Sequence, residues 1–198
     1  MKILLIGATG TIGKAVADKL AAEHQIIRAG YSDGDVRVDL GNSDNIRSMF
    51  KTTGKVDAII STAGLASFAP LQQLQDSDYQ LALNNKLMGQ INLIRIGSEY
   101  VSDGGSVTLT SGVLSKEPIP GSASIAMANG ALESFVLAAA LEETRINLNV
   151  VAPAFVKETM EMMGMDSSTG ISAADTASAY AEALNSHHGE TLDVRDHI

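Results

Sequence analysis

The sequence predicts an α/β fold: a doubly wound parallel sheet with helices on both faces, three layers in a single domain over residues 1–198. Three observations carry that prediction. Ile3 to Ile6 is an apolar run of strand length that breaks at once into glycines spaced three apart, Gly7, Gly10 and Gly13; Lys14 to Ala22 then shows a helical apolar face at Ala15, Val16 and Leu20. Beyond it, strand-length apolar runs alternate with helix-length segments, the pattern of a parallel sheet with helical crossovers. No Pro/Ser-rich linker, charge run or internal repeat divides the chain, and its length suits one core.

After the first strand and helix, Gln25 to Ala29 reads as a second strand, closed by Gly30-Tyr31-Ser32-Asp33-Gly34, and Val36 to Asp39 as a third. The gap between them is too short for a crossover helix, so a piece of the usual architecture is trimmed here. Ser43 is placed to cap a helix through Phe50. Val56 to Ile60 is the fourth strand, running into Ser61-Thr62-Ala63-Gly64, and one long helix is expected over Asp78 to Tyr100. Asp103-Gly104-Gly105 reads as the turn before a fifth strand, Ser106 to Thr110. A second long helix spans Ser122 to Glu143, a sixth strand Ile146 to Val151 and a late helix Ala173 to Leu184. The last strand, Thr191 to Val194, is introduced by Gly189. Ligands of such sheets sit beyond the carboxyl ends of the strands, which puts Gly7, Ser61, Ser111 and Pro153 in one neighbourhood.

Composition excludes several classes. A formal charge of -9 offers no basic surface to nucleic acid or to an anionic membrane. With no cysteine there are no disulfides, thiolate metal sites or cysteine nucleophiles, and a reducing, cytoplasmic setting is the expectation. The run at Ile3 is too short for a signal-peptide core, and nothing approaches membrane-spanning length. His24, His187, His188 and His197 lack the spacing of a metal site, so no metal is expected, and His187 and His188 are read as surface. Met160, Met162, Met163 and Met165 read either as a surface that adapts to an irregular apolar ligand or as a short helix capping a cleft or meeting a partner.

The glycine corner has its own chemistry. Glycine lets the main chain come close to a pyrophosphate, and free N–H groups at a helix start attract its charge, so strand, glycine turn and helix in this order point to nucleotide binding.

Five segments then resemble the short-chain dehydrogenase/reductase family over almost the full length. They are Gly7-Ala8-Thr9-Gly10-Thr11-Ile12-Gly13, in the spacing of the atypical and extended branches; Asp39-Leu40, similar to the Asp-Val pair that holds adenine; and Ser61-Thr62-Ala63-Gly64, where members usually have Asn-Asn-Ala-Gly. The others are Val150 to Val156, similar to the Pro-containing loop that contacts nicotinamide, and Gly189 to Val194, similar to the final strand. The resemblance implies a Rossmann-like sheet, a nicotinamide cofactor and hydride transfer. It assigns cofactor contacts to Gly7, Thr9, Gly10, Thr11, Ile12, Gly13, Tyr31, Ser32, Asp39, Leu40, Ser61, Thr62, Ala63, Gly64, Pro153, Phe155 and Val156.

The catalytic pattern departs from that family. Members use Tyr-x-x-x-Lys on the helix after strand five, with a serine at that strand's end. The resemblance puts the serine at Ser111, or less favourably Thr110, the lysine position at Asn129 and the tyrosine position at Ile125, which has no proton to give. An asparagine that members carry on the preceding helix falls at Lys86, so lysine and asparagine stand exchanged. Either the Lys86 ammonium enters the cleft, to contact nicotinamide ribose or polarise a carbonyl, or Lys86 is a solvated helix residue and Asn85 keeps the usual role.

NAD-preferring relatives end the second strand with an acid for the ribose 2′-hydroxyl; here that position is near Gly30. Ser32 is able to donate to a phosphate and Lys14 or Arg37 is a candidate to reach it, whereas Asp33 and Asp35 would repel it if they face it. NADP is expected ahead of NAD. The segment from Ser122 to Glu143 is apolar nearly all round, at Ile125, Met127, Leu132, Phe135, Val136 and Leu137, so a homo-oligomer, a dimer or a tetramer, is expected through 88–100 and 122–141, where the family commonly joins subunits. Two functions follow. One is an oxidoreductase acting on a small carbonyl or alcohol, with Ser111 orienting the substrate and Lys86 or a bound water replacing the tyrosine. The other is a NAD(P)-binding sensor or regulatory protein without turnover.

Overall fold

The computed structural model describes residues 1–185 and 187–198. Its strands are β1 (Lys2–Ile6), β2 (Gln25–Gly30), β3 (Val36–Arg37), β4 (Val56–Ser61), β5 (Val101–Thr110), β6 (Asn147–Ala152) and β7 (Glu190–Asp193). They form one parallel sheet in the order β3-β2-β1-β4-β5-β6-β7. The order reverses beside β1, where the connections leave in opposite directions and open a crevice for a ligand. The helices are α1 (Thr11–Leu20), α2 (Ser43–Thr53), α3 (Asp76–Leu81), α4 (Met88–Gly97), α5 (Ala123–Ala139), α6 (Lys157–Met162) and α7 (Ala173–Glu182).

Side-chain alternation along β1 explains the three layers. Leu4 and Ile6 enter one core with Met49 and Phe50 of α2, Leu93 of α4 and Leu132 of α5. Ile3 and Leu5 enter the other with Val16 and Ala17 of α1 and Tyr180 of α7. A strand buried on both faces has no polar side to show, which is why its sequence is a continuous apolar run.

Several sequence expectations need correction. Asn42, not Ser43, caps α2: its Oδ1 accepts from the N–H groups of Asp44 at 2.9 Å and Asn45 at 3.2 Å, and the helix continues to Thr53. Asp103-Gly104-Gly105 is not a turn before β5 but lies within it. The register against β4 slips between Val56 and Ala58, and glycine at 105 leaves room for the Asp57 carbonyl in the bulge. β3 is only Val36–Arg37, and α5 ends at Ala139. The long helix expected over Asp78 to Tyr100 is three pieces: α3, a π-helical segment over Ala82–Leu87, and α4, with a 3-10 turn at Ser98–Tyr100. A π segment re-aims the side chains it carries, and these include Asn85 and Lys86.

Candidate cofactor and active site

The glycine corner is shaped by what its residues lack. Gly7 has φ +81°, and a Cβ there would stand 2.8 Å from the Thr62 hydroxyl. A Cβ on Gly13 would overlap the Gly7 carbonyl, so Gly13 sets how closely α1 packs on the turn. Gly10 begins α1 with no side-chain cap and no acid in the first turn, which leaves the first helical N–H groups to an anion.

An adenine-side cavity of about 450 Å³ lies beside this corner, lined by Gly7, Thr9, Gly10, Tyr31, Leu40 and Asn85 among others. Leu40 lines this cavity. Asp39 spends Oδ1 on the Gly41 N–H at 2.9 Å and is not among the lining residues. An adjoining groove holds Lys14, Arg28, Ser32, Asp33 and Asp35. The second cation of this groove is Arg28; Arg37 is not among its lining residues. The two aspartates brace the loop: Asp35 Oδ2 accepts from Arg28 N–H and Asp33 Oδ1 from Gly34 N–H, each at 2.8 Å.

At the other end a cavity of about 270 Å³ is lined by Ile12, Thr62, Ala63, Gly64, Lys86, Ser111, Ile125, Asn129, Pro153, Phe155 and Val156, with Thr110, Thr159 and further glycine and apolar neighbours. Glycine corner, strand-four end, strand-five end and Pro153 loop are thus brought together. Ser61 departs from the expectation. It is fully buried, lines neither cavity, and offers its carbonyl to the Thr110 hydroxyl.

Lys86 is not a solvated helix residue. It is 8 % exposed, and its Nζ donates to the carbonyls of Thr110 at 3.4 Å and Ser111 at 3.3 Å. Burial pushes its pKa down to about 8, because no carboxylate is near enough to favour the charged form. Gly64 makes the space: a Cβ there would meet Lys86 Cγ at 3.0 Å. Asn85 faces the adenine side, where its Oδ1 accepts from Leu65 N–H at 2.8 Å. The π segment therefore delivers both residues to the groove, Lys86 to the cavity beside Ile125 and Asn85 to the cavity beside the glycine corner, and a solvated Lys86 is excluded. Gln90, one turn on, clamps the Thr110 peptide with both amide atoms, accepting from its N–H and donating to its carbonyl at 2.8 Å each.

Sequence reasoning missed Glu133. Its Oε1 accepts from the hydroxyls of Ser111 at 2.8 Å and Ser115 at 2.7 Å, so the Ser111 hydroxyl is already committed to α5. The only signal was position, one helical turn beyond Asn129. Thr110 donates to Ser61, which makes the buried Tyr180 hydroxyl the donor in their 2.6 Å contact; burial holds that phenol well above its ordinary pKa. Asn129 donates to the Gly112 carbonyl at 3.3 Å, and its Oδ1 is buried without a partner.

His187 is not simply surface: it sits between Glu182 at 3.1 Å and Glu190 at 2.9 Å, hydrogen bonds that raise its pKa. Among the described residues no group of three acidic or histidine ligands forms a metal site. Of the methionine segment only Met160 and Met162 lie in α6, Met160 buried and Met162 exposed, while Met163 and Met165 follow it, both exposed.

Comparison with known proteins agrees with this geometry. A family model described as enoyl-(acyl carrier protein) reductase matches residues 5–191. The chain belongs to the short-chain dehydrogenase/reductase family. Hydroxynaphthalene reductase arp2 of Aspergillus fumigatus is 28% identical over 75% of this chain and 59% of its own. The chain thus spans about six-tenths of that curated relative. The crystal structure of lin1944 from Listeria innocua is 41% identical, with a TM-score of 0.93 over 98% of this chain and 99% of that one. A small-chain dehydrogenase in complex with NADPH shares the fold, at 24% identity and a TM-score of 0.87 over 98% of this chain and 95% of that one. Membership makes this an oxidoreductase-family protein with a NAD(P) fold. No helix among the described residues is long and apolar enough to cross a membrane.

Proposed function

We propose that this short-chain dehydrogenase/reductase is an NADP-linked oxidoreductase for a small carbonyl or alcohol, with Lys86 in the place of the missing tyrosine. The observation that carries the reading is the buried Lys86 ammonium lining the same cavity as Ile125 and Pro153. The residues fit the cofactor: Gly7, Gly10 and the uncapped start of α1 suit a pyrophosphate, Tyr31 and Leu40 the adenosine half, and Pro153, Phe155 and Val156 the nicotinamide half. Lys14, Arg28 and Ser32 supply donors for a 2′-phosphate, while one oxygen of Asp33 and one of Asp35 are spent on main-chain N–H groups. Bound nicotinamide supplies or takes the hydride. Lys86 polarises the substrate oxygen and gives it a proton, an acid poised near neutral pH by burial. Ser111, held by Glu133, fixes the neighbouring wall.

Fluorescence titration with NADPH and NADH tests the cofactor half. NADPH is expected to bind at least tenfold more tightly, and an NADH preference overturns the assignment. The second reading, a NAD(P)-binding sensor without turnover, is favoured by Ile125 and by the commitment of Ser111 to Glu133. NADPH oxidation by any small carbonyl, lost in Lys86→Met, decides against it. A homo-oligomer is part of the same proposal, supported by Leu137 at 62% and Leu141 at 82% exposure on and just beyond α5. A monomer in light scattering at micromolar concentration ends it. The cysteine-free composition supports a cytoplasmic setting.

A further inference from the structure

The nicotinamide-side cavity is electrically one-sided. Lys86 is the only ionisable side chain among its lining residues, in a chain whose formal charge is -9. No acidic group lies within salt-bridge reach of it among the described residues, and Glu133, behind Ser111, is engaged by two serine hydroxyls. Its two carbonyl contacts are long, 3.4 and 3.3 Å, and the Thr110 carbonyl also accepts from Gln90 at 2.8 Å. A buried ammonium held only this way is costly, because main-chain dipoles replace water but bring no opposite charge. The compensating charge belongs to something that enters the cavity. The pyrophosphate of a dinucleotide has its own seat at the start of α1, so a second anion is called for.

We infer that this anion is the substrate's own carboxylate: the cavity takes a short 2-oxo acid, bound through Lys86. An ammonium has three donors. Two are spent on Thr110 and Ser111, and one remains. A single donor holds a carboxylate oxygen and a carbonyl oxygen together only when they sit on adjacent carbons, which selects the 2-oxo acid over acids with a more distant carbonyl. The cavity, about 270 Å³, falls below the ~300–1,000 Å³ usual for ligand sites, and Ile12, Leu114, Ile125 and Phe155 give it an apolar wall for a short alkyl tail. Reduction adds a hydride at C2, from reduced nicotinamide, and a proton at its oxygen, from Lys86. The product is a 2-hydroxy acid, and the Lys86 amine regains its proton from water. The inference rests on the proposed oxidoreductase reading, but its test does not require turnover.

Two calorimetric titrations separate the two. The protein, with and without saturating NADPH, is titrated with 2-oxobutyrate and with its uncharged methyl ester; NADPH affinity is measured alongside. The acid is expected to bind at least tenfold more tightly than the ester, and Lys86→Met and Lys86→Gln, checked for folding by thermal melting, are expected to lose that preference while NADPH affinity changes less than threefold. Equal binding of acid and ester, no binding of either at 10 mM (a ceiling on the order of the weakest useful affinities), or a Lys86→Met protein that keeps the preference overturns the inference. So does loss of NADPH affinity in Lys86→Met, which would assign the ammonium to a cofactor phosphate. Failure of wild-type protein to bind NADPH at all instead overturns the oxidoreductase reading.

Discussion

At the Gly7–Gly13 corner the ligand-facing surface is main chain, whereas at the β5–β6 end of the same groove it is side chain: Lys86, Ser111, Ile125 and Asn129. The first region works by subtraction. Its glycines remove Cβ atoms that would strike Thr62 or the Gly7 carbonyl, and no polar side chain caps α1. The second works by substitution, with an ammonium where an amide is usual and an isoleucine where a phenol is usual. A backbone-built site tolerates little change, because any side chain blocks it. A side-chain-built site is rewired one residue at a time, and the fold does not object.

The largest effect therefore belongs to the corner. Gly13→Val places a branched side chain against the Gly7 carbonyl, main chain that has nowhere to go. Overpacking of this kind is expected to cost about 3 kcal/mol or more and to abolish NADPH binding. Urea denaturation and fluorescence titration read the two effects, and a variant that binds NADPH like wild type breaks the contrast.

Lys86→Met is expected to act in the opposite sense. Holding a pKa at about 8 rather than 10.5 costs the folded state roughly 3 kcal/mol when the amine is charged. The folded pKa is depressed, so between about 8 and 10.5 the unfolded chain binds more protons and wild-type stability rises with pH. Below about 8 both states are protonated and the penalty is constant. Methionine carries none of it, so the variant should be more stable than wild type at pH 7 by up to roughly 3 kcal/mol and about equal near pH 10.5. Urea midpoints at the two values decide, and a variant less stable at pH 7 shows that Lys86 has a partner the fold supplies.

The same contrast governs how much was legible in the sequence. The alternation of strands and helices and the glycine corner follow from apolar periodicity and glycine spacing, which are local signals. Tyr31, Ser32, Leu40, Thr62 and Pro153 line the groove, and Tyr31, Thr62 and Pro153 do so directly after the ends of β2, β4 and β6. What failed was set by contacts distant in sequence or by helix register. The π segment at Ala82–Leu87 leaves no mark in composition, yet it carries Asn85 to the cavity beside the glycine corner and Lys86 to the one beside Ile125. Ser61 was placed by motif but is fully buried at the end of β4. Glu133 is 22 residues from Ser111, and no pattern joins them.

Glu133→Ala is the next effect in size. It leaves two serine hydroxyls without their charged acceptor, one of them on a residue 5 % exposed, at an expected cost of about 2 kcal/mol. Glu133→Gln keeps an acceptor and should cost less than half of that. If the pair serves only to hold the cavity wall, both variants alter KM more than kcat, and the pH profile keeps the shape that Lys86 gives it. A profile that loses a limb in Glu133→Gln assigns the carboxylate a proton-handling role instead.

The smallest effect returns to the binding end, at a place where it too depends on side chains. Arg28 and Lys14 face the groove beside Ser32, and Arg28 is tied to the loop through its main chain, its N–H donating to Asp35 Oδ2 and its carbonyl accepting from the Asp35 N–H at 2.7 Å. Its guanidinium makes no salt bridge among the described residues. Replacing it with glutamine leaves those main-chain bonds and the fold intact while removing a charged donor from the 2′-phosphate position. NADPH should weaken by about tenfold, near 1.4 kcal/mol, with NADH unchanged. Equal weakening of both cofactors would mean that Arg28 acts on the adenosine half in general, and that discrimination rests on Lys14 and Ser32. An unchanged ratio with unchanged affinities would leave this edge of the groove as main-chain in character as the glycine corner beside it.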